Sequence, residues 1–157
     1  MNTTALTITL EPDAPPEVQT SVEAFLDDEA RVLGLPPVNV QSFLALLRDA
    51  DGRVQGGIKA RYSWEWLHIV ALAVAPSWRN QGYGTRLLTS AERWGLGAGC
   101  REAWVMTFGL RARNFYERAG YAVFAELANW PTGVSRLFMR KSISDVGGPS
   151  PSRLFSS

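Results

Sequence analysis

The stretch Val74-Ala75-Pro76-Ser77-Trp78-Arg79-Asn80-Gln81-Gly82-Tyr83-Gly84-Thr85-Arg86-Leu87-Leu88 constrains this chain more than any other. An apolar run, Leu67 to Val74, stops at Pro76, and two glycines follow. Then Leu87, Leu88, Ala91 and Trp94 recur at helical spacing until Gly95, Gly97 and Gly99 end the pattern. The order is strand, glycine turn, helix. Glycine lets backbone approach a ligand closely, and the first amides of a helix have no intrahelical partner. Such a turn receives a phosphate or pyrophosphate on its N–H groups and on the positive end of the helix dipole, and Arg79 is placed to add a charge-assisted bond.

Several nucleotide-binding families use a turn of this kind, so the neighbouring residues decide between them. A P-loop needs Gly-Lys followed by Ser or Thr, and neither Lys59 nor Lys141 has that setting. A dinucleotide fingerprint needs a third glycine where Leu87 stands, and the acidic residue at a suitable distance, Glu102, begins a strand instead of ending one. The P-loop reading fails and the dinucleotide reading is weak.

The rest of the chain reads as mixed α and β. Leu6 to Leu10 alternates with Thr7 and Thr9, the period of a half-buried first strand. Pro15-Pro16 opens a helical segment carrying Val18, Val22, Phe25, Leu26 and Leu33 on one face, closed by Gly34 and Pro36-Pro37. Ser42–Arg48 and Arg53–Tyr62 read as a hairpin around Asp49-Ala50-Asp51-Gly52, and Leu67–Val74 as a central strand covered on both faces. Ala103–Phe108 is the next strand, Ala112–Ala119 the next helix, and Tyr121–Leu127 and Arg136–Lys141 are two further strands. Residues 1–143 are expected to form one domain, and the Gly-, Pro- and Ser-rich residues 144–157 a disordered tail.

Composition narrows the function classes. A net charge of +1 gives no general field for nucleic acid, so any anion must be held locally. The longest apolar run falls well short of the ~20 residues needed to span a bilayer, and the first residues do not read as a secretory signal. One cysteine, Cys100, and one histidine, His68, leave no internal disulfide and no metal site. A cytoplasmic protein is expected.

Two motifs carry a resemblance to a known family. The pattern Arg79-x-x-Gly82-x-Gly84 after a strand, followed by Leu87-Leu88, resembles the acetyl-CoA-binding motif of the GNAT superfamily of N-acetyltransferases. A second stretch, Ala112-Arg113-Asn114-Phe115-Tyr116-Glu117-Arg118-Ala119-Gly120-Tyr121, is similar to that superfamily's later signature and lies about thirty residues downstream. The resemblance implies a largely antiparallel central sheet of six to seven strands flanked by helices, with a splay between the fourth and fifth strands. It implies acetyl-CoA as cosubstrate, an amine of a small molecule or peptide as acceptor, and a homodimer. It also implies that the pyrophosphate rests on Asn80, Gln81, Gly82, Tyr83, Gly84 and Thr85 beside Arg79, and that the pantetheine arm lies along Leu72, Ala73 and Val74. Tyr116 takes the family's usual place as general acid.

Departures from the family pattern bear on the acceptor side. Gly109 stands where a pantetheine-contacting Asn or Ser is common, which leaves Asn114 to take over that contact; Val70 and Val134 replace polar residues and imply a more apolar acceptor pocket. An alkyl ammonium, with a pKa of about 10.4, must lose a proton before it attacks. His68 and Glu65, near the start of the strand that lines the cosubstrate, are the candidate bases. Of two other readings, a catalytically silent acyl-CoA-binding sensor or interaction module is favoured by the missing polar groups at Val70 and Val134 and argued against by the retained Tyr116, and an NAD-binding protein has only a weak glycine match.

Overall fold

The computed structural model describes residues 6–143, so the expected tail lies outside the described residues. The chain separates into two compact units, one ending at Pro37 and one beginning at Val38.

The first unit contains a single helix, α1 (Pro16–Val32). Pro15 is extended, Pro16 occupies the first helical position where a missing N–H costs nothing, and Glu17 and Arg31 sit at the dipole ends that suit their charges. None of its residues is buried. Leu6–Leu10, expected as the first strand, is not one: Leu6, Ile8 and Leu10 are each more than nine-tenths exposed. Period-two alternation marks a face, but a strand also needs a hydrogen-bonded ladder, and residues 6–10 form no part of one.

The second unit is a six-stranded sheet in the order β1-β2-β3-β4-β6-β5. Its strands are β1 (Gln41–Arg48), β2 (Val54–Ser63), β3 (Trp66–Val74), β4 (Glu102–Phe108), β5 (Ala122–Leu127) and β6 (Arg136–Ser142). Only β3 and β4 run parallel, which requires a crossover, and α2 (Tyr83–Gly97) supplies it. After β4 comes α3 (Leu110–Arg118). One sheet face forms the core, where Leu87, Leu88 and Ala91 of α2 and Tyr116 of α3 pack on Ile58, Ala60, Leu67, Ile69, Ala103, Val105, Leu137 and Met139. A half-buried network fastens α2 to the far strands: Lys141 Nζ donates to both Glu92 oxygens at 3.0 Å, and the Tyr121 hydroxyl donates to Glu92 Oε1 at 3.0 Å.

The central parallel pair is short. β3 and β4 are in register only from Trp66↔Glu102 to Ile69↔Val105, after which they separate. Neither strand frays, because β3 stays paired to β2 as far as Gly56↔Val74 and β4 to β6 as far as Phe108↔Arg136. The cause is visible on the β2 side: the register steps from Ala60↔Ile69 to Lys59↔Ala71, leaving Val70 as the extra residue of a bulge. A bulge bends its strand and increases the local twist, here at the last closed rung. With Leu6–Leu10 not a strand, the splay lies between the third and fourth strands.

Gly56 tests this arrangement. A Cβ there would lie 2.7 Å from the Ala73 carbonyl oxygen and 3.1 Å from Val74 Cα, so backbone would have to move. Gly97, near the end of α2, has nothing within 4 Å. Gly56→Ala is expected to lower unfolding stability by about 1–3 kcal/mol, while Gly97→Ala leaves it unchanged or raises it by up to about 1 kcal/mol. Urea denaturation of the two variants checks both signs.

Candidate active site

Three features surround the splay. The first is the glycine turn at the end of β3. Pro76–Trp78 makes one 3-10 turn, then Asn80 and Gly82 adopt positive φ values of 60° and 81°. The first bond closing α2 runs from the Arg86 amide to the Gly82 carbonyl, so the amides of Tyr83, Gly84 and Thr85 precede it without a helical acceptor. Arg79 is fixed by its Nε, which donates to the Val74 carbonyl at 2.8 Å, leaving the terminal nitrogens of its guanidinium available. Gln81 Nε2 donates to the Ser77 carbonyl at 3.1 Å and ties the turn to itself. This donor set fits a pyrophosphate: unpaired amides, a dipole end and one anchored cation.

The second feature is the contact between α2 and α3. A Cβ at Gly84 would lie 3.3 Å from the Phe115 ring, so the absence of a side chain is what lets α3 approach the turn. Phe115 meets Tyr116 edge-on at 5.0 Å, and Tyr116 meets Tyr121 at 5.4 Å. Tyr116 is buried, and burial pushes its phenol up to about 12. It therefore stays protonated across the physiological range. Asn114, two residues earlier on the helix, is exposed.

The third feature is the strand β3 itself. Beyond Ile69 its edge toward β4 has no strand partner, and Leu72, Ala73 and Val74 lie on this stretch, where the Val74 carbonyl accepts from Arg79. Leu67 and Ile69 are buried in the core, and His68 is half-buried on the opposite face. Its ring stacks on Trp104 with centroids 3.8 Å apart and planes within 6°. Desolvation, and then the nearby charge of Arg61, hold the His68 imidazole below its ordinary value, so it is neutral at pH 7.

Glu65 is separated from all of this. It lies in the β2–β3 turn, where Trp64 and Glu65 have φ values of 45° and 64°, and its carbonyl accepts the Arg101 amide. That turn is at the closed end of the parallel pair, four residues and about 13 Å of strand before the last rung at Ile69. On the open side, Arg136 is held between the rings of Phe108 and Trp130, at 4.8 and 5.3 Å, with Nε donating to the Trp130 carbonyl. Arg136 and Arg61 carry no sequence signal of their own; only strand register brings them to the site. Among the described residues no group of three His, Cys, Asp or Glu side chains could hold a metal ion, and no helix is long and apolar enough to cross a membrane.

Comparison with known proteins identifies the architecture. The model of the acetyltransferase (GNAT) family matches residues 7–121. The chain belongs to this family. It is 33% identical over 93 residues to blasticidin-S acetyltransferase of Streptomyces morookaense, covering 59% of this chain and 68% of that protein. An acetyltransferase structure from Bacillus cereus superposes with a TM-score of 0.72 at 23% identity, covering 85% of this chain and 97% of the other. A Bacillus anthracis acetyltransferase in complex with acetyl coenzyme A superposes with a TM-score of 0.57 at 21% identity, over 68% and 64% of the two chains. The GNAT protein described here is thus an acetyltransferase, with acetyl-CoA as its cosubstrate.

Since the chain contains one histidine, its titration can be followed directly. The imidazole resonances should titrate below pH 6.5, and Arg61→Gln should move the midpoint upward by removing the second cause of the depression. The sign for stability follows: the unfolded chain binds this proton more tightly, so the contribution is whole above pH 6.5 and is lost as pH falls through the folded value.

Proposed function

We propose that this GNAT enzyme transfers an acetyl group directly from acetyl-CoA to a primary amine, with a small molecule favoured over a peptide. The observation that carries the reading is the splay after Ile69 and Val105, which opens between an unpaired β3 edge leading to the glycine turn and a buried tyrosine on α3. Similarity to blasticidin-S acetyltransferase supports the choice of a small acceptor.

The residues divide the work as follows. The amides of Gln81, Gly82, Tyr83, Gly84 and Thr85, with Asn80 and the anchored Arg79, hold the pyrophosphate. Leu72, Ala73 and Val74 offer backbone groups to the pantetheine arm as a neighbouring strand would, and Asn114 is the polar side chain of α3 that can reach that arm. His68, neutral at pH 7, receives the proton of the attacking amine through water as the N–C bond forms. Glu65 is dropped from this role because the β2–β3 turn carries it away from the splay.

Tyr116 supports the departing thiolate as a hydrogen-bond donor. Full proton transfer from a phenol pushed up to about 12 to a thiolate whose conjugate acid has a pKa of about 8.5 is uphill by about 5 kcal/mol. A bond that strengthens as charge collects on sulfur avoids that cost.

Calorimetric titration with acetyl-CoA is expected to show binding by the native chain and none by the Gly82→Asp, Gly84→Asp double variant, which puts negative charge into the turn. Tyr116→Phe should lower kcat about a hundredfold with little change in KM for acetyl-CoA, measured by thiol release over an amine panel. Failure of the native chain to bind acetyl-CoA would overturn the cosubstrate assignment, and binding without thiol release from any amine would overturn direct transfer.

A further inference from the structure

On the sheet face opposite the core, a concave region of about 400 Å³ is lined by Val40, Arg61, Ser63, Trp66, His68 and Trp104, with Trp64 at its side. Three properties make it chemically specific. Its walls are aromatic: the stacked His68–Trp104 pair presents one flat surface, and Trp66, 38% exposed, presents another. It has one full charge, Arg61, and no carboxylate. Among the described residues Arg61 makes no ion pair, as is true of most of the arginines, so its guanidinium is open to a ligand.

The pocket also borders the chemistry. Arg61 is directly opposite His68 in the β2–β3 ladder, and His68 is opposite Trp104 in the parallel pair, one rung before the strands separate. Two residues along β3, about 7 Å from the Arg61–His68 level, the chain reaches Val70 and the opening. An occupant with an anion at Arg61 and a ring on the His68–Trp104 pair can therefore present its far end to the splay, with Trp66 bounding the pocket on the closed side.

We propose that the acceptor is a flat amine bearing a carboxylate about 7 Å from its nitrogen, with Arg61 reading the carboxylate and His68 and Trp104 receiving the ring. The inference deepens the amine-transfer reading and rests on it. A single arginine matches a monoanion, and a guanidinium pairs with a carboxylate through two parallel N–H bonds. Polycationic acceptors are disfavoured, because the pocket would place them beside an uncompensated cation with no carboxylate to receive them.

The test uses 4-(aminomethyl)benzoate, benzylamine, 1,4-bis(aminomethyl)benzene and β-alanine with the full chain. Binding is read from the resonances of the single histidine, and turnover from thiol release with acetyl-CoA. The native protein should bind 4-(aminomethyl)benzoate about ten- to a hundredfold more tightly than benzylamine or β-alanine, with the diamine weakest. Arg61→Gln should bring the ratio to benzylamine close to one, while Lys59→Gln, which removes a cation two residues away on the same strand, should preserve it.

Equal binding of the first two amines, preference for the diamine, or loss of the ratio in Lys59→Gln or Arg136→Gln instead of Arg61→Gln would overturn the proposal. Failure of the transfer reading is distinguishable from failure of the pocket. Selective binding without thiol release from any amine sustains the pocket and sinks transfer; thiol release from benzylamine and the diamine without selectivity does the reverse.

Discussion

The bulge at Val70 governs the molecule. A parallel pair buried at the centre of a sheet ordinarily continues to the ends of both strands, since every unpaired amide in that position sacrifices a hydrogen bond. Here one additional residue on β3 turns the strand after a short stretch of pairing with β4, and both strands remain tied to their outer neighbours. The opening is thus a product of register, independent of loop flexibility. Because it is opened by backbone geometry, the side chains around it are free to specialise.

The crossover topology places those specialists. A parallel connection needs a helix, the helix needs an N-terminus, and that N-terminus falls at the end of β3 where the strand has lost its inner partner. The glycine turn is consequently bound to the splay by chain connectivity. α3 reaches the same place through packing, since Phe115 rests where Gly84 has no side chain. Turn, open edge and tyrosine thus come from three segments but meet by one strand connection and one close contact.

Much of this was legible in the sequence. The glycine turn, the position of the central strand, both helices around it, the hairpin and the second motif all appear where their residues suggested, because each depends on local chemistry: periodicity, glycine and proline. The expected cover on both faces of that strand is absent, since Trp66 and Val70 on its outer face are exposed. What escaped depends on pairing. Leu6–Leu10 has strand alternation but no neighbour to complete it. The break between Tyr62 and Leu67 is legible, but not the tight hairpin that fills it, because Trp64 and Glu65 both take positive φ without the Asn-Gly signal that usually marks such a reversal. Without that turn, Arg61 could not be set opposite His68, and Glu65 looked as close to the chemistry as His68 did. The aromatic pocket is invisible in one dimension for the same reason, as its lining is drawn from β2, β3, β4 and the segment before β1.

The open edge of β3 has a further meaning for the life of the protein. Unpaired strand edges invite pairing by other chains, and proteins ordinarily shield them with charge, proline or a covering element. On the function proposed above, the exposed edge is the working surface, and the pantetheine arm is the cover proposed for it. A cosubstrate that completes the sheet also stabilises it, by RT ln(1 + [L]/Kd). The supply of acetyl-CoA would then govern how long the enzyme survives as well as how fast it runs, and a cell short of acetyl groups would hold less of the intact protein.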